Sequence, residues 1–178
     1  MARARKKSLP LTVSRPALLA GGSDAQFRRL IHDLIAYGHK LDACRDAFAA
    51  IAGISGVQYE ILMLVSRTEG LPVGEVAASL HRSGAFITIE ANKLASAGIL
   101  EKAADPADGR RVVLRVTQKG VALLDRMAPY QRRVNDVLFD FLDARRFREL
   151  RALAGQLVAA GDRAVALTEL LLREAQAA

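Results

Sequence analysis

The stretch that most limits how this chain can fold runs from Pro72 to Thr117. Pro72 suits the start of a helix because its fixed φ costs the first turn nothing. Val73 to Leu80 continues that helix, with Val76, Ala77 and Leu80 inward. Ser83 can cap a second helix, Gly84 to Ala97, which Gly98 ends. The period then changes. Ile99 to Ala103 reads as a strand, and residues 104 to 110 as a turn rich in Asp, Pro and Gly. Residues 111 to 116 return as a strand, with Val112, Leu114 and Val116 on one face and Arg111, Val113 and Arg115 on the other.

Longer helical patterns flank this unit. Ser23 with Gln26 reads as a capping box opening a helix whose stripe is Phe27, Leu30, Ile31, Leu34, Leu41, Cys44, Phe48 and Ile51, closed near Gly53. A compact lobe does not need a helix that long, so part of its face is expected to pack on something else. Ser55 with Gln58 repeats the capping device for a helix carrying Tyr59, Ile61, Leu62 and Leu64. After the second strand, Thr117 caps a helix that contains Pro129, and Asp143 caps a last one with Phe147, Leu150, Leu153, Leu157, Val165, Thr168 and Leu172 as its stripe. The expected fold is mainly α with a small β wing, a winged helix-turn-helix between flanking helices. The segments are a flexible basic arm (1–22), an N-terminal helix (23–54), a DNA-binding lobe (55–118) and C-terminal helices (119–178).

The net charge is +7, but Arg3, Arg5, Lys6, Lys7 and Arg15 fall in residues 1–22, which hold no acidic side chain. The remaining body is therefore only +2, and overall charge is weak evidence for a nucleic-acid partner. No apolar run is long enough to span a bilayer, the N-terminus makes a poor signal peptide, and the single Cys44 offers no disulfide framework. A cytoplasmic protein without membrane contact is expected.

Three strings carry a resemblance to a known family: VGEVAASLHRSGAFITIEANKLASAGILEK (73–102), DPADGRRVVLRVTQKG (105–120) and the Ser-x-x-Gln at 55–58. With the order of elements, they resemble the MarR family of bacterial winged-helix transcription regulators over residues 24 to 174. The specific part is the Asp-x-Arg wing tip followed by Thr-x-Lys-Gly. The resemblance implies a homodimer paired through the first and the last two helices. It implies a recognition helix in a major groove, a wing in the adjacent minor groove, and a repressor released by a small ligand or by oxidation. The tip here reads Asp108-Gly109-Arg110 where the family often has a basic residue in the middle, which leaves Arg111 to replace it.

An arginine on a thin loop can enter the narrow, electronegative minor groove, so Arg110 and Arg111 are the wing candidates, with Asp108 holding the turn. In the recognition helix, Thr88 and Asn92 are assigned to bases, and Ser83, Gly84 and Lys93 to close approach and phosphate. Phe86 or Ile87, and Ile89, are expected to turn partly inward.

An effector pocket is expected from Tyr37, His39, Tyr59 and Arg45, for an aromatic carboxylate, a phenolic compound or its coenzyme A thioester. Arg28, Arg29, Arg45 and Arg133 are the basic residues able to meet the thioester's phosphates. Cys44 sits on an apolar stripe and is expected to be packed rather than reactive. His32, His39 and His81 lack metal-site spacing, no cofactor motif is present, and no nucleophile stands with a base. The expected partner is a near-palindromic double-stranded DNA operator. The alternatives are a helical protein-interaction module and a constitutive architectural DNA-binding protein without effector.

Overall fold

In the computed structural model, which describes residues 9–105, 108 and 111–177, the chain reaches its first long helix through a clamp. The backbone N–H and hydroxyl of Thr12 both donate to Asp24 Oδ2, at 2.8 and 2.7 Å. The Arg28 guanidinium lies 3.0 Å from the same carboxylate oxygen and also donates to the Pro10 carbonyl. Between these contacts Pro16–Leu18 makes one 3₁₀ turn, and Ala20 bridges Ser23. The part of the arm from residue 9 to 22 is thus anchored and not free. Arg3, Arg5, Lys6 and Lys7 lie outside the described residues.

The clamp also displaces the expected Ser23/Gln26 capping box. α1 spans Ala25–Ala52 with Asp24 at its N-cap, and the Asp24 carboxylate caps no helix amide because Thr12 and Arg28 occupy it. These same donors, Arg28 first, hold the Asp24 carboxyl well below the usual carboxylate range. A carboxyl whose folded pKa is depressed stabilises in full above the unperturbed value, here 3.8, and loses that contribution as pH falls further. At neutral pH, Asp24→Asn should therefore expose residues 9–22 to limited proteolysis. The wild-type chain should begin to lose this protection, against pepsin, only below about pH 4, and should match the variant only at a still lower pH. Equal cleavage of both proteins at neutral pH would show that Asp24 does not hold the segment.

The chain forms two units, Met1–Gln131 and Arg132–Ala178. In the first, α1 is about 42 Å long at 1.5 Å per residue, yet only Phe48 and Ala49, near its C-terminal end, are buried. Leu30, Ile31, Leu34, Ile35 and Leu41 remain exposed. Gly53 ends the helix in the left-handed region at φ 75°. The chain then turns by 90° into α2, Gly56–Val65, whose capping box forms as expected between Ser55 and Gln58.

α3 (Val73–Ser79) and α4 (Gly84–Ser96) follow, then β2 (Leu100–Ala104), β3 (Val112–Val116) and α5 (Gln118–Leu138), which runs past the unit boundary. Ile61, Leu62, Val65, Val76, Ile87, Leu94, Leu114 and Met127 are essentially inaccessible and make the core. Each such side chain contributes about 1.5–3 kcal/mol of transfer free energy.

The sheet holds a strand that periodicity does not reveal. β1, only Leu71–Pro72, pairs antiparallel with β3, so the order is β1-β3-β2. β3 is therefore central, and the expected alternation breaks. Val113 and Leu114 are both buried, whereas Val112 is exposed. The Thr-x-Lys-Gly string docks α5 on this lobe. Thr117 Oγ1 accepts from the Gly120 amide at 3.1 Å and lies 2.7 Å from the Gly98 carbonyl, while Lys119 Nζ donates to the Ala97 carbonyl at 2.7 Å.

In the second unit Asp143 caps α6, Ala144–Ala177, by accepting from the Arg146 amide at 2.7 Å. None of the described residues of α6 is buried, and Phe147, Leu150, Leu153, Leu157, Val165 and Leu172 stand exposed along it. Among the described residues no single helix is long and apolar enough to cross a membrane. α1 and α2 meet such a test only together, across their 90° bend.

Candidate nucleic-acid interface

The turn between α3 and α4 places His81 at φ 49° and presents Ser83, whose Oγ accepts from the Phe86 amide at 3.3 Å. From this cap, the inner face of α4 is Ile87, Glu90, Ala91 and Leu94, at helical spacing. The phase then puts Ser83, Gly84, Phe86, Ile89, Asn92 and Lys93 on the exposed side. Of Phe86 and Ile87 it is Ile87 that turns inward, Phe86 being 39% exposed; Ile89 is 54% exposed, so the expectation that it turns inward is corrected. Thr88 is half-buried and its hydroxyl donates to the Gly84 carbonyl at 2.8 Å, so this group is not free for a base.

Two of the expected phosphate contacts are ion-paired within the protein. Lys93 Nζ lies 2.7 Å from Glu90 Oε1, and Arg111 Nη2 lies 3.1 Å from Glu75 Oε1 on α3. Glu90 is buried, and its second oxygen accepts from Gln58 Nε2 at 2.9 Å. The bond from Lys93 is the main cause holding the Glu90 carboxyl below its ordinary range; Gln58 adds to it, against the effect of burial. Gln58 meanwhile accepts from the Ser55 amide through Oε1, so one side chain joins the start of α2 to α4. The i,i+3 spacing of Glu90 and Lys93 is a legible pairing signal. The reach of Gln58 across 32 residues is not.

At the wing, the Asp105 amide donates to the Arg111 carbonyl and the Arg111 amide to the Asp108 carbonyl, both at 2.9 Å. Arg110 lies outside the described residues.

Of the four expected pocket residues the structure brings two together. Arg45 and Tyr59 line a cleft of about 430 Å³ with Glu60, Met63, Leu64 and Leu80, where α1, α2 and α3 meet. Tyr59 is buried, and its hydroxyl accepts from the Gln131 amide group; burial raises its pKa, partly opposed by that bond. Arg45 is held by Asp42 at 2.9 Å, Asp46 at 3.1 Å and Glu60 at 2.8 Å. Tyr37 and His39 do not line this cleft. They stand two turns earlier on α1, where His39 is exposed and burial raises the Tyr37 pKa, with Cys44 nearby. Cys44 itself is only half-buried.

A model of the MarR family matches residues 52–111, which spans the end of α1 to the wing. The chain is 26% identical over 104 residues to the uncharacterized HTH-type transcriptional regulator YhbI of Bacillus subtilis (strain 168), covering 58% of this chain and 68% of that protein. CouR from Rhodococcus jostii RHA1, solved bound to p-coumaroyl-CoA, superposes with a TM-score of 0.67 at 20% identity, over 77% of this chain and 96% of that one. A MarR transcriptional regulator from Methanosarcina mazei Go1 superposes with a TM-score of 0.62 at 21% identity, over 76% and 98%.

Proposed function

Because this chain is a winged helix-turn-helix transcription regulator of the MarR family, we propose that it works as a homodimeric repressor which a small aromatic ligand releases from DNA. The observation that carries the DNA reading is α4. Its inner face is sealed in the core, its one acidic side chain is buried, and its outer face offers Ser83, Gly84, Phe86, Ile89 and Asn92 beside the wing. Ser83 and the free amides of the first turn suit a phosphate, and Asn92 suits an adenine edge. Arg110 and Arg111 belong in the minor groove.

The exposed apolar stripes of α1 and α6 support pairing with a second copy, since monomers seldom leave such surface in water. A two-fold dimer presents two recognition helices to half-sites about 34 Å apart, and hence to a near-palindrome.

The Arg45–Tyr59 cleft is the proposed effector site. Tyr59 follows Gln58, which holds Glu90 of α4, so a ligand moving α2 acts on the recognition helix directly. Arg45 and Arg28 are already ion-paired, so an anionic ligand would have to compete with Asp42, Asp46 and Glu60, or with Asp24. An uncharged phenolic ring does not meet that cost, and it is the ligand class this cleft favours.

The test is operator affinity titrated with benzoate, the coenzyme A thioester of 4-hydroxycinnamate and an uncharged phenolic ligand, methyl 4-hydroxycinnamate. At saturation the phenolic ligand should weaken binding at least about tenfold, the usual size of such coupling, and the effect should shrink in Tyr59→Ala. Sequence-specific binding that none of the three compounds shifts would favour a constitutive DNA-binding protein.

Glu75 bears on the wing. Freed of Glu75, Arg111 is available to a phosphate, so Glu75→Gln should steepen the slope of log affinity against log salt by about one. An unchanged slope would mean that Arg111 meets no phosphate.

A further inference from the structure

The outer face of α4 carries an apolar pair that positioning on DNA does not require. Phe86 and Ile89 are 39% and 54% exposed although Ile87, between them, is sealed. At i and i+3 they lie on one face with Cβ atoms about 5–6 Å apart. Ser83 and Asn92 flank them at the two ends. Lys93 is paired with Glu90 and Arg111 with Glu75, and the Thr88 hydroxyl is bonded to the backbone. This face therefore has few free polar atoms for base edges and a wide apolar centre.

In a major groove the apolar group that distinguishes one base pair from another is the C5-methyl of thymine. Base pairs rise about 3.4 Å, so two side chains at that spacing meet neighbouring or next-neighbouring steps. No acidic side chain is exposed on this face, and Arg82 stands exposed just before it, so a polyanion is the compatible partner. We propose that Phe86 and Ile89 read thymine methyl groups, so that sequence selection by this helix depends on apolar contact with T-containing steps. The proposal rests on α4 being the recognition helix.

The test leaves the protein untouched and changes the DNA. The duplex from upstream of the gene is compared with one in which deoxyuridine replaces deoxythymidine throughout the bound region, and then position by position. Each methyl removed from a contact should weaken binding about fourfold, the equivalent of the roughly 0.8 kcal/mol of a buried methylene. A palindrome repeats each contact, which makes the combined loss about sixteenfold for one position in both half-sites. In Phe86→Ala or Ile89→Ala the same deoxyuridine substitution should lose its effect at the position that residue reads.

Tight and selective binding that ignores deoxyuridine overturns the proposal and leaves the recognition helix in place. A deoxyuridine effect that persists undiminished in both variants assigns the methyl groups to other residues and also overturns it. Variants that keep their DNA binding but change oligomeric state assign the pair to a protein contact, with the same consequence. No preference for the native over a scrambled duplex removes both the proposal and the reading beneath it.

Discussion

Gly120→Ala should destabilise the DNA-binding lobe by about 3 kcal/mol or more, a large share of the roughly 5–15 kcal/mol that holds a domain together. A Cβ at this position would stand 2.3 Å from the Ile99 carbonyl oxygen and 2.6 Å from Val116 Cγ1. The first of these is backbone just before β2, held by the Thr117 amide at 3.1 Å and, just upstream, by the bonds of Thr117 and Lys119 to the Gly98 and Ala97 carbonyls. It cannot swing aside as a side-chain tip would. Alanine's helix propensity favours the substitution by about 1 kcal/mol, which the clash outweighs. Gly74→Ala is the control, because its Cβ would meet nothing within 4 Å; it should be neutral or slightly stabilising. Urea midpoints of the two variants and the wild-type chain give the comparison. A Gly120→Ala midpoint at or above the wild-type value would mean that α5 does not start against the α4–β2 turn.

The second large effect separates two neighbouring isoleucines. Ile87 is inaccessible and Ile89 is 54% exposed. Ile87→Ala should therefore cost about 2–5 kcal/mol, the transfer of the lost methyl groups plus the cavity left in the core. Ile89→Ala should stay within about 0.5 kcal/mol in stability, while weakening operator binding. Equal destabilisation by both would place Ile89 in the core and rotate the reading face of α4 away from Phe86 and Asn92.

That rotation is also where the residues were hardest to read in advance. FITI at 86–89 offers four consecutive apolar or β-branched residues, and a run of that kind fits a helix of almost any phase. Only the burial of one face of α4, which also holds Glu90, Ala91 and Leu94, selects Ile87. Local devices were legible: the Ser55–Gln58 box and the caps at Ser83, Thr117 and Asp143 need only neighbours three residues away. Ser23–Gln26 had the same spelling and did not form, because Thr12 from outside the helix and Arg28 from its first turn engage Asp24.

Long-range partners left no trace in spacing. Leu71–Pro72 is too short to alternate, and Arg111 meets Glu75 across 36 residues. Of the four residues assigned to a pocket, Arg45 and Tyr59 line one cleft where α1 and α2 meet. Tyr37 and His39 shared the composition of a pocket but not its turn of the helix.

The central claim is that this fold selects a DNA sequence through α4 and its wing. Fluorescence anisotropy tests it most directly, with duplex from upstream of the gene, a scrambled duplex and an Arg110→Ala variant, at several salt concentrations. Binding about a thousandfold tighter to the native duplex, weakened by salt and by loss of Arg110, is the expected result. Equal binding to both duplexes, indifferent to Arg110 and abolished by removing residues 1–22, would contradict it: the basic N-terminal segment alone would be touching DNA.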